Sequence, residues 1–347
     1  MKQTPKISSL KKVVLGVVAV TALAGCSASN SESPSTSSGP LVVYSGRSEA
    51  LVAELFSQFS TETGIEIEVR YADSGELAAL LITEGDASPA DVYFSQDAGA
   101  LGAVEDAGLF SALPTDITQL VDSKFRSTQD RWVATSGRAR VAVYNPDLVS
   151  TVPNTIDDIL DPVWKGKVGF APTNASWQSF VTALRVVRGE DEAEQWLTAF
   201  KANEPVAYEK NAAVRDAVNA GEVSMGLINH YYLYEKIAAE GADAVTAKNH
   251  YFTNGDIGGL INVAGVGVLE SSKNKDSANQ LVKFLLSAQG QEYFAQKTFE
   301  YPMAAGISAY GDLPSIEELN PPAIDLSDLK SIAKTQELLA KTGLLTK

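Results

Sequence analysis

Short apolar runs alternate with amphipathic segments along most of the chain, and this alternation predicts an α/β fold. Leu41–Tyr44, Ile65–Val69 and Ala90–Phe94 carry the apolar or alternating pattern of strands, and a segment of helical periodicity follows each of them. Such a β-α-β-α-β-α order is typical of a largely parallel sheet that is covered by helices on both faces.

Two longer extended runs predict how the chain is divided. Trp132–Tyr144 and Gly258–Leu269 are each long enough to cross from one lobe to another. Roughly 300 residues surround them, which is more than one hydrophobic core usually supports. We therefore expect two α/β lobes joined by two extended crossover strands, with the ligand cleft between them. The expected N-terminal lobe comprises residues 41–135 and 264–310, and the C-terminal lobe comprises 136–263 and 311–347.

The ends of the chain carry further predictions. Glu300-Tyr301-Pro302 is interpreted as a turn, and the last helix is predicted over Ser327–Lys341. Residues 1–25 contain several lysines, no acid and the apolar segment Val13–Ala24, which is too short to span a bilayer. This pattern is typical of an export signal.

The signal ends in Leu23-Ala24-Gly25-Cys26, which resembles a bacterial lipobox, where cleavage precedes a cysteine that then receives lipid. Cys26 is the only cysteine, so an internal disulfide and a thiolate metal cluster are excluded. Residues 26–40, rich in Ser and Pro, are predicted to form a flexible tether. We expect a membrane-anchored protein on the outer face of the bacterial cytoplasmic membrane.

The charge balance limits the possible partners. The net charge is −15, and it becomes more negative once the lysines of the signal are removed. Nucleic-acid binding needs clustered Lys and Arg, so a nucleic-acid partner is not expected. A cation, or a small ligand held by local contacts, fits this acidic body better.

The stretch Val223–Glu235 predicts a ligand-binding corner. The apolar run Val223–Ile228 is interpreted as a buried strand, and after Asn229 and His230 the pair Tyr231-Tyr232 opens a helix. Ligands of open α/β sheets bind outside the carboxyl ends of strands, which places both phenols near a ligand. The alternative is that the tyrosines are half-buried packing residues. His230 and His250 lack zinc spacing and are interpreted as surface or cleft residues.

Two further features favour an anion next to these phenols. Thr173-Asn174-Ala175-Ser176 precedes a helix, whose free N–H groups and dipole attract anions, although ordinary N-capping explains the same residues. Arg138 and Arg140 would add charge-assisted bonds, or would form an inter-lobe ion pair. A ferric ion is a hard cation that prefers anionic oxygen, which phenolates supply.

Several motifs together resemble the bacterial ferric-ion-binding proteins, the solute-binding components of iron ABC transporters, among the family 1 extracellular solute-binding proteins. The resemblance covers Leu41 to about Gly343 and is carried, in order, by Val43–Gly46, Ser88–Val92, Ser136–Val141, Ala171–Thr173, Ile228–Tyr232 and Glu300–Pro302. It implies the type II periplasmic-binding-protein fold, ferric iron as cargo, an ABC permease as partner and a monomer.

The resemblance also implies the roles of individual residues. Tyr231 and Tyr232 would be iron ligands. A synergistic anion (carbonate, phosphate or citrate) would bind the loop and cleft residues Asn174, Ala175, Ser176, Asn211, Asn229, Asp97 and Arg138.

The chain departs from the family at two expected ligands. Ser48 stands where better-known members have a histidine, and Gln96 stands where they have a carboxylate. Two protein ligands do not fill an octahedral site, so the anion and water, or side chains such as Ser48, Gln96, Asp97 or Glu49, would supply the rest. The departures leave open a small organic anion, such as a phosphonate or carboxylate, as the ligand. An extracellular hydrolase is the remaining alternative, but no nucleophile elbow, P-loop or dinucleotide motif supports an enzyme.

Overall fold

The structure, a computed structural model, describes residues 39–346. The expected signal peptide, Cys26 and nearly all of the tether therefore lie outside the described residues. Helices and strands alternate along the chain in the predicted manner. Their bounds are β1 Leu41–Ser45, α1 Glu49–Thr63, β2 Ile67–Tyr71, α2 Ser74–Glu84, β3 Val92–Ser95, α3 Ala98–Asp106, α4 Thr115–Thr118, β4 Val133–Tyr144, β5 Val168–Phe170, α5 Ala175–Arg188, α6 Glu190–Ala202, β6 Val206–Ala207, α7 Asn211–Asn219, β7 Met225–Asn229, α8 Tyr231–Glu240, β8 Lys248–His250, β9 Ile261–Val268, α9 Lys275–Leu285, α10 Ala288–Lys297, β10 Tyr301–Pro302, α11 Ile316–Leu319 and α12 Ile332–Lys341.

The first helix shows why the apolar pattern predicts these elements well. Its buried residues Val52, Leu55, Phe56 and Phe59 recur at helical spacing and cover one side of the sheet. The helix ends where Gly64 adopts a φ of 72° and its N–H bonds to the carbonyl oxygen of Ser60. Because a left-handed φ strains any residue with a Cβ, the glycine fixes the end of the helix.

The strand β4 is the element to which the rest of the sheet is attached. The strands follow the order β2-β1-β3-β9-β4-β7-β5-β6. Residues 133–139 of β4 pair with β9, whereas residues 140–144 pair with β7 and β8. One half of this buried strand therefore faces one group of strands and the other half faces a second group, so side chains in its middle stand at the junction.

A group of aromatic residues packs beneath the start of α5. Trp177 lies within 5.5 Å of the ring centroids of Phe170, Phe180 and Phe200, and Trp196 stacks on Phe200 at 5.2 Å. Truncating one such buried ring typically costs about 3–5 kcal/mol. The packing holds the N-terminus of α5 in place beside β4.

Three local predictions were wrong. The predicted last helix is interrupted, because a 3-10 segment over Leu326–Lys330 packs on α3 before α12 begins. A Cβ at Gly99 of α3 would lie 2.5 Å from the carbonyl oxygen of Leu329, so only glycine permits this close approach.

The other two errors concern the second crossover and the segment before α11. Gly258 and Gly259 belong to a 3-10 turn rather than to the extended run, because the Asp256 carboxylate accepts a hydrogen bond from the Gly258 N–H at 2.8 Å. Tyr301–Pro302 is a short strand rather than a turn, and it pairs antiparallel with Gly137 and Ser136 of β4. The partner strand is distant in sequence, so local pattern could not reveal the pairing.

Candidate functional site

The two tyrosines stand side by side at the first turn of α8. Strand β7 is buried throughout and ends at Asn229, and α8 begins at Tyr231. The rings of Tyr231 and Tyr232 stack with centroids 4.3 Å apart and an interplanar angle of 27°, and both side chains are half-buried. Both phenol side chains therefore lie together just beyond the carboxyl end of β7, as the strand-to-helix corner predicts.

His230 fixes this corner and is not a free ligand. Its side chain is fully buried. The Nδ1 atom accepts a hydrogen bond from the Ala139 N–H at 3.1 Å, and Nε2 donates to the carbonyl oxygen of Phe299 at 2.8 Å, which defines the neutral tautomer. Burial lowers the pKa of His230 to about 4. The interpretation of His230 as a surface or cleft residue was wrong, because both ring nitrogens join α8 to distant segments.

The environment keeps the first tyrosine protonated when no cation is bound. Burial raises the pKa of Tyr231 well above its ordinary value, and the adjacent Tyr232 raises it further, whereas the Arg138 guanidinium lowers it. A cation at the hydroxyls would therefore have to displace a proton in order to gain a phenolate ligand.

The predicted anion loop forms a hydrogen-bonded cluster at the N-terminus of α5. The Asn174 side chain caps this helix, because its Oδ1 accepts from the N–H of Ser176 at 2.9 Å and from the Ser176 hydroxyl at 2.7 Å. Asn211, the first residue of α7, donates from Nδ2 to Ser176 Oγ at 3.0 Å and to Asn174 Oδ1 at 3.2 Å. Ala175, which lies between Asn174 and Ser176, is the first residue of α5. The Oδ1 atom of Asn211 is buried and has no hydrogen-bond partner among residues 39–346.

Two buried arginines of β4 lie near this loop and the tyrosines. The Nε and Nη1 atoms of Arg138 are buried without a partner in the described part of the chain. Burial lowers the pKa of Arg138, whereas the Glu300 carboxylate, Tyr231 and Asp97 each raise it. Since these groups act on it electrostatically, Arg138 stands among them with unused donors.

Arg140 connects the strand to the anion loop. Its Nη1 donates to the carbonyl oxygen of Ser176 at 3.3 Å, and it is the cross-strand partner of Asn229 in β7. Its guanidinium lies 5.4 Å from the Trp177 ring centroid and 4.8 Å from that of Phe180. Burial lowers the pKa of Arg140 to about 9. The alternative that Arg138 and Arg140 form an inter-lobe ion pair is wrong, because neither has a salt bridge in the described chain.

A cavity of ≈ 760 Å³ borders the anion loop. Asn174 and Ala175 line it, and so do Gln96 and Asp97, which follow β3. The Oε1 atom of Gln96 is buried without a partner in residues 39–346. Asp97 caps α3, since its Oδ1 accepts from the Ala100 N–H at 3.0 Å. Ser48 is exposed at the start of α1 and does not line this cavity.

The tyrosines are not part of the lining of this cavity. The predicted residues therefore fall into two groups, and Arg138 of β4 interacts electrostatically with a member of each, Tyr231 and Asp97, whereas Arg140 contacts the anion loop. No group of three or more His, Cys, Asp or Glu residues that could hold a metal ion occurs in residues 39–346. Any hard cation bound here would depend on the phenol oxygens.

Sequence reasoning missed a buried ion pair beneath the site. Arg47 and Glu300 are fully buried and form two hydrogen bonds, of 2.8 and 2.6 Å. Ser136 and Thr298 also donate to the Glu300 carboxylate, at 3.0 and 2.9 Å. Burial would raise the pKa of Glu300, but Arg47 lowers it to about 2. The partners are separated by 253 residues, and no local signal pairs them.

Comparison with known proteins decides the family. The model for bacterial extracellular solute-binding proteins matches residues 44–292. The chain belongs to this family. The extracellular solute-binding protein is 35% identical to the Fe(3+)-binding periplasmic protein of Serratia marcescens over 95% of its own length and 98% of the relative's.

Solved structures of the family share the fold. Iron-bound HitA from Pseudomonas aeruginosa matches with a TM-score of 0.81 at 35% identity, over 88% of this chain and 99% of that chain. The Trichodesmium protein IdiA (FutA), in complex with iron and citrate, matches with a TM-score of 0.77 at 26% identity, over 88% of this chain and 100% of that chain. The predicted type II periplasmic-binding-protein fold is thereby confirmed. Within residues 39–346, no helix has the length and apolar character that a membrane crossing requires.

Proposed function

We propose that this extracytoplasmic solute-binding protein captures ferric iron together with a synergistic anion and delivers it to an ABC importer. The observation that carries the proposal is the stacked Tyr231-Tyr232 pair at the carboxyl end of β7. Phenolate oxygens suit a hard trivalent cation, and a charge of that size supplies the free energy needed to ionise a phenol whose pKa is raised. Relatives and structural neighbours that are named for iron binding support the same ligand.

The anion has its own binding surface in this proposal. The N-terminus of α5, with Asn174, Ala175 and Ser176, offers N–H groups and a favourable dipole. Asn211 donates to that loop, Asn229 is the cross-strand partner of Arg140, which also donates to it, and Arg138 supplies unused charged donors. Carbonate, phosphate and citrate all match this chemistry. A metal-free organic anion, such as a phosphonate or carboxylate, is not favoured as the cargo, because it leaves the phenol pair without a role.

A visible spectrum of the iron-loaded protein tests the proposal. Phenolate-to-iron charge transfer should give a visible band, and the double variant Tyr231→Phe/Tyr232→Phe should lose both the band and ferric binding. The matched control is Tyr310→Phe, which removes a half-buried phenol elsewhere and should keep the band. Equal ferric affinity in the double variant and the wild type would refute the ferric proposal.

The lobes are proposed with the boundaries given above, residues 41–135 with 264–310 and residues 136–263 with 311–347. The change of partners along β4 supports a junction near Ala139. The C-terminal segment contacts both parts. Ser327 donates to Glu105 of α3 at 3.2 Å, whereas Thr335 of α12 forms a hydrogen bond with Thr182 of α5 at 2.6 Å.

Lipid attachment at Cys26, anchoring on the outer face of the bacterial cytoplasmic membrane, and a monomeric state are also proposed. The lipobox-like sequence before Cys26 supports the anchor. Cys26→Ala should release the protein from membranes in a fractionation experiment, whereas Ser35→Ala in the tether should leave it attached. Continued membrane attachment of the Cys26→Ala protein would contradict the anchor.

A further inference from the structure

Glu235 lies one helical turn beyond the tyrosines on the same helix. It is four residues after Tyr231 and three after Tyr232 in α8. Residues at these spacings share one face of a helix, with Cβ atoms about 5–6 Å apart. Long side chains in helices also lean toward the N-terminus, which directs Glu235 back toward the turn that carries both phenols.

The carboxylate of Glu235 is not committed to another group. Its side chain is half-buried, and among residues 39–346 it has no hydrogen bond and no salt bridge. Another acid of the same helix, Glu240, is exposed and pairs with Lys236 at 2.7 Å. A partly buried carboxylate without a partner is unfavourable. Glu235 would therefore gain from a cation bound beside it.

The charged groups around Glu235 are engaged elsewhere. Arg215 donates to the carbonyl oxygen of Tyr232 at 2.9 Å and to Asp216 at 2.9 Å. Glu300 is held by Arg47. Burial raises the pKa of Glu235, Arg215 lowers it, and the nearby Glu300 raises it. Arg215 therefore acts on the Glu235 carboxylate electrostatically but forms its salt bridge with Asp216.

The coordination shell of a ferric ion has room for a further anionic oxygen beside two phenolates and a synergistic anion. Two phenolates leave one positive charge on the ion and most positions of an octahedral shell unfilled. Ser48 is exposed and outside the cavity, Gln96 is a neutral amide, and one oxygen of Asp97 is used to cap α3. Glu235 offers a free carboxylate on the helix that already carries the phenols.

We propose that Glu235 is a third protein ligand of the ferric ion, donating a carboxylate oxygen next to the phenolates of Tyr231 and Tyr232. With one carboxylate and two phenolates, the three negative charges balance the trivalent ion. The charge of the synergistic anion then falls to Arg138 and the N-terminus of α5. This inference rests on the proposed ferric function.

The test compares Glu235→Gln with the matched control Glu240→Gln. Ferric affinity is measured by competition with citrate, and the coordination shell by electron paramagnetic resonance and X-ray absorption. Glu235→Gln should bind ferric iron at least tenfold more weakly, retain a shifted charge-transfer band, and lose one oxygen ligand or exchange it for water. Glu240→Gln should match the wild type in every measurement.

Folding of the variant is checked separately. Since Glu235 lacks a partner in the iron-free protein, iron-free Glu235→Gln should unfold at the same urea concentration as the wild type, or at a higher one. Unchanged affinity overturns the inference, and so does weaker affinity with an unchanged resonance spectrum and coordination shell. Failure of the ferric function itself would be distinguishable, because the wild type would then show no charge-transfer band.

Discussion

The buried polar residues Ser136, Arg138 and Arg140 form a row on β4, and the two ends of this row lie among cations in opposite circumstances. At Ser136, the side chain joins a charge-paired network in which Glu300 receives two hydrogen bonds from Arg47 and one each from Ser136 and Thr298. At Arg138 and Arg140, the guanidinium groups have nitrogen atoms without partners and no carboxylate in salt-bridge contact within the described chain.

This difference separates a structural charge from a functional one. A buried pair whose charges balance can hold segments together, although the Nε atom of Arg47 has no partner in the described chain, whereas a buried cation without a paired carboxylate is unfavourable until an anion arrives. The open donors of Arg138 are near Tyr231, and Arg140 contacts the anion loop. The row therefore changes from a fixed joint to a binding surface within a few residues.

Breaking the Arg47–Glu300 ion pair should have the largest effect on stability. Glu300→Gln leaves Arg47 buried without a countercharge, and we expect a loss of about 3–5 kcal/mol in the free energy of unfolding. Urea denaturation followed by circular dichroism measures it. The control Glu204→Gln removes an exposed ion pair with Lys165 and should change stability by less than about 1 kcal/mol. A loss of similar size in both variants would show that the buried Arg47–Glu300 pair contributes no more to stability than an exposed ion pair does.

Acid should weaken the same end of the row. The folded-state pKa of Glu300, about 2, is below its ordinary value of 4.5, so its contribution is fully present above pH 4.5 and is lost as the pH falls toward 2. The free energy of unfolding, measured from pH 6 to pH 2, should fall less steeply in Glu300→Gln than in the wild type. Parallel curves for the two proteins would contradict this assignment.

Removing the unpaired charge of Arg138 should weaken anion binding and leave folding unaffected. Arg138→Gln should weaken binding of phosphate, measured by titration calorimetry, by about 1.5–3 kcal/mol, as is typical of a hydrogen bond to a charged group. Its stability should stay equal or increase, because an unpaired buried cation is removed. Arg131→Gln, which alters an arginine that donates to the Phe110 carbonyl oxygen, serves as the control. A large loss of stability in Arg138→Gln would make Arg138 structural.

The smallest expected effect is at the helix cap. Asn174→Ala removes the cap of α5 and should cost about 0.5–2 kcal/mol of stability. Because the same residue orients Ser176 and Asn211, phosphate affinity should fall as well. Ser315→Ala removes the capping box of α11 and should reduce only stability. Unchanged phosphate affinity in Asn174→Ala would show that Asn174 only caps α5 and has no part in anion binding.

Local pattern was sufficient wherever the interaction is local. The corner at Tyr231, the start of α7 at Asn211 and the C-cap at Gly64 follow from periodicity and capping preferences within a few residues. The interrupted last helix shows the limit of this reasoning. The sequence over 327–341 has helical periodicity, but packing of Leu326–Lys330 against the glycines of α3 decides its conformation.

The sequence alone determined the α/β class and the chemistry that the protein can offer: two adjacent phenols, a helix start suited to an anion and two arginines on one strand. Only the tertiary structure decided which charges are neutralised, because Arg47 meets Glu300, and His230 meets Phe299, across long separations in the chain. The physical reason is that burial and pairing are properties of the folded chain, and a residue type does not reveal which partner it will find. The same arginine side chain is therefore a joint at Arg47 and an unfilled binding group at Arg138.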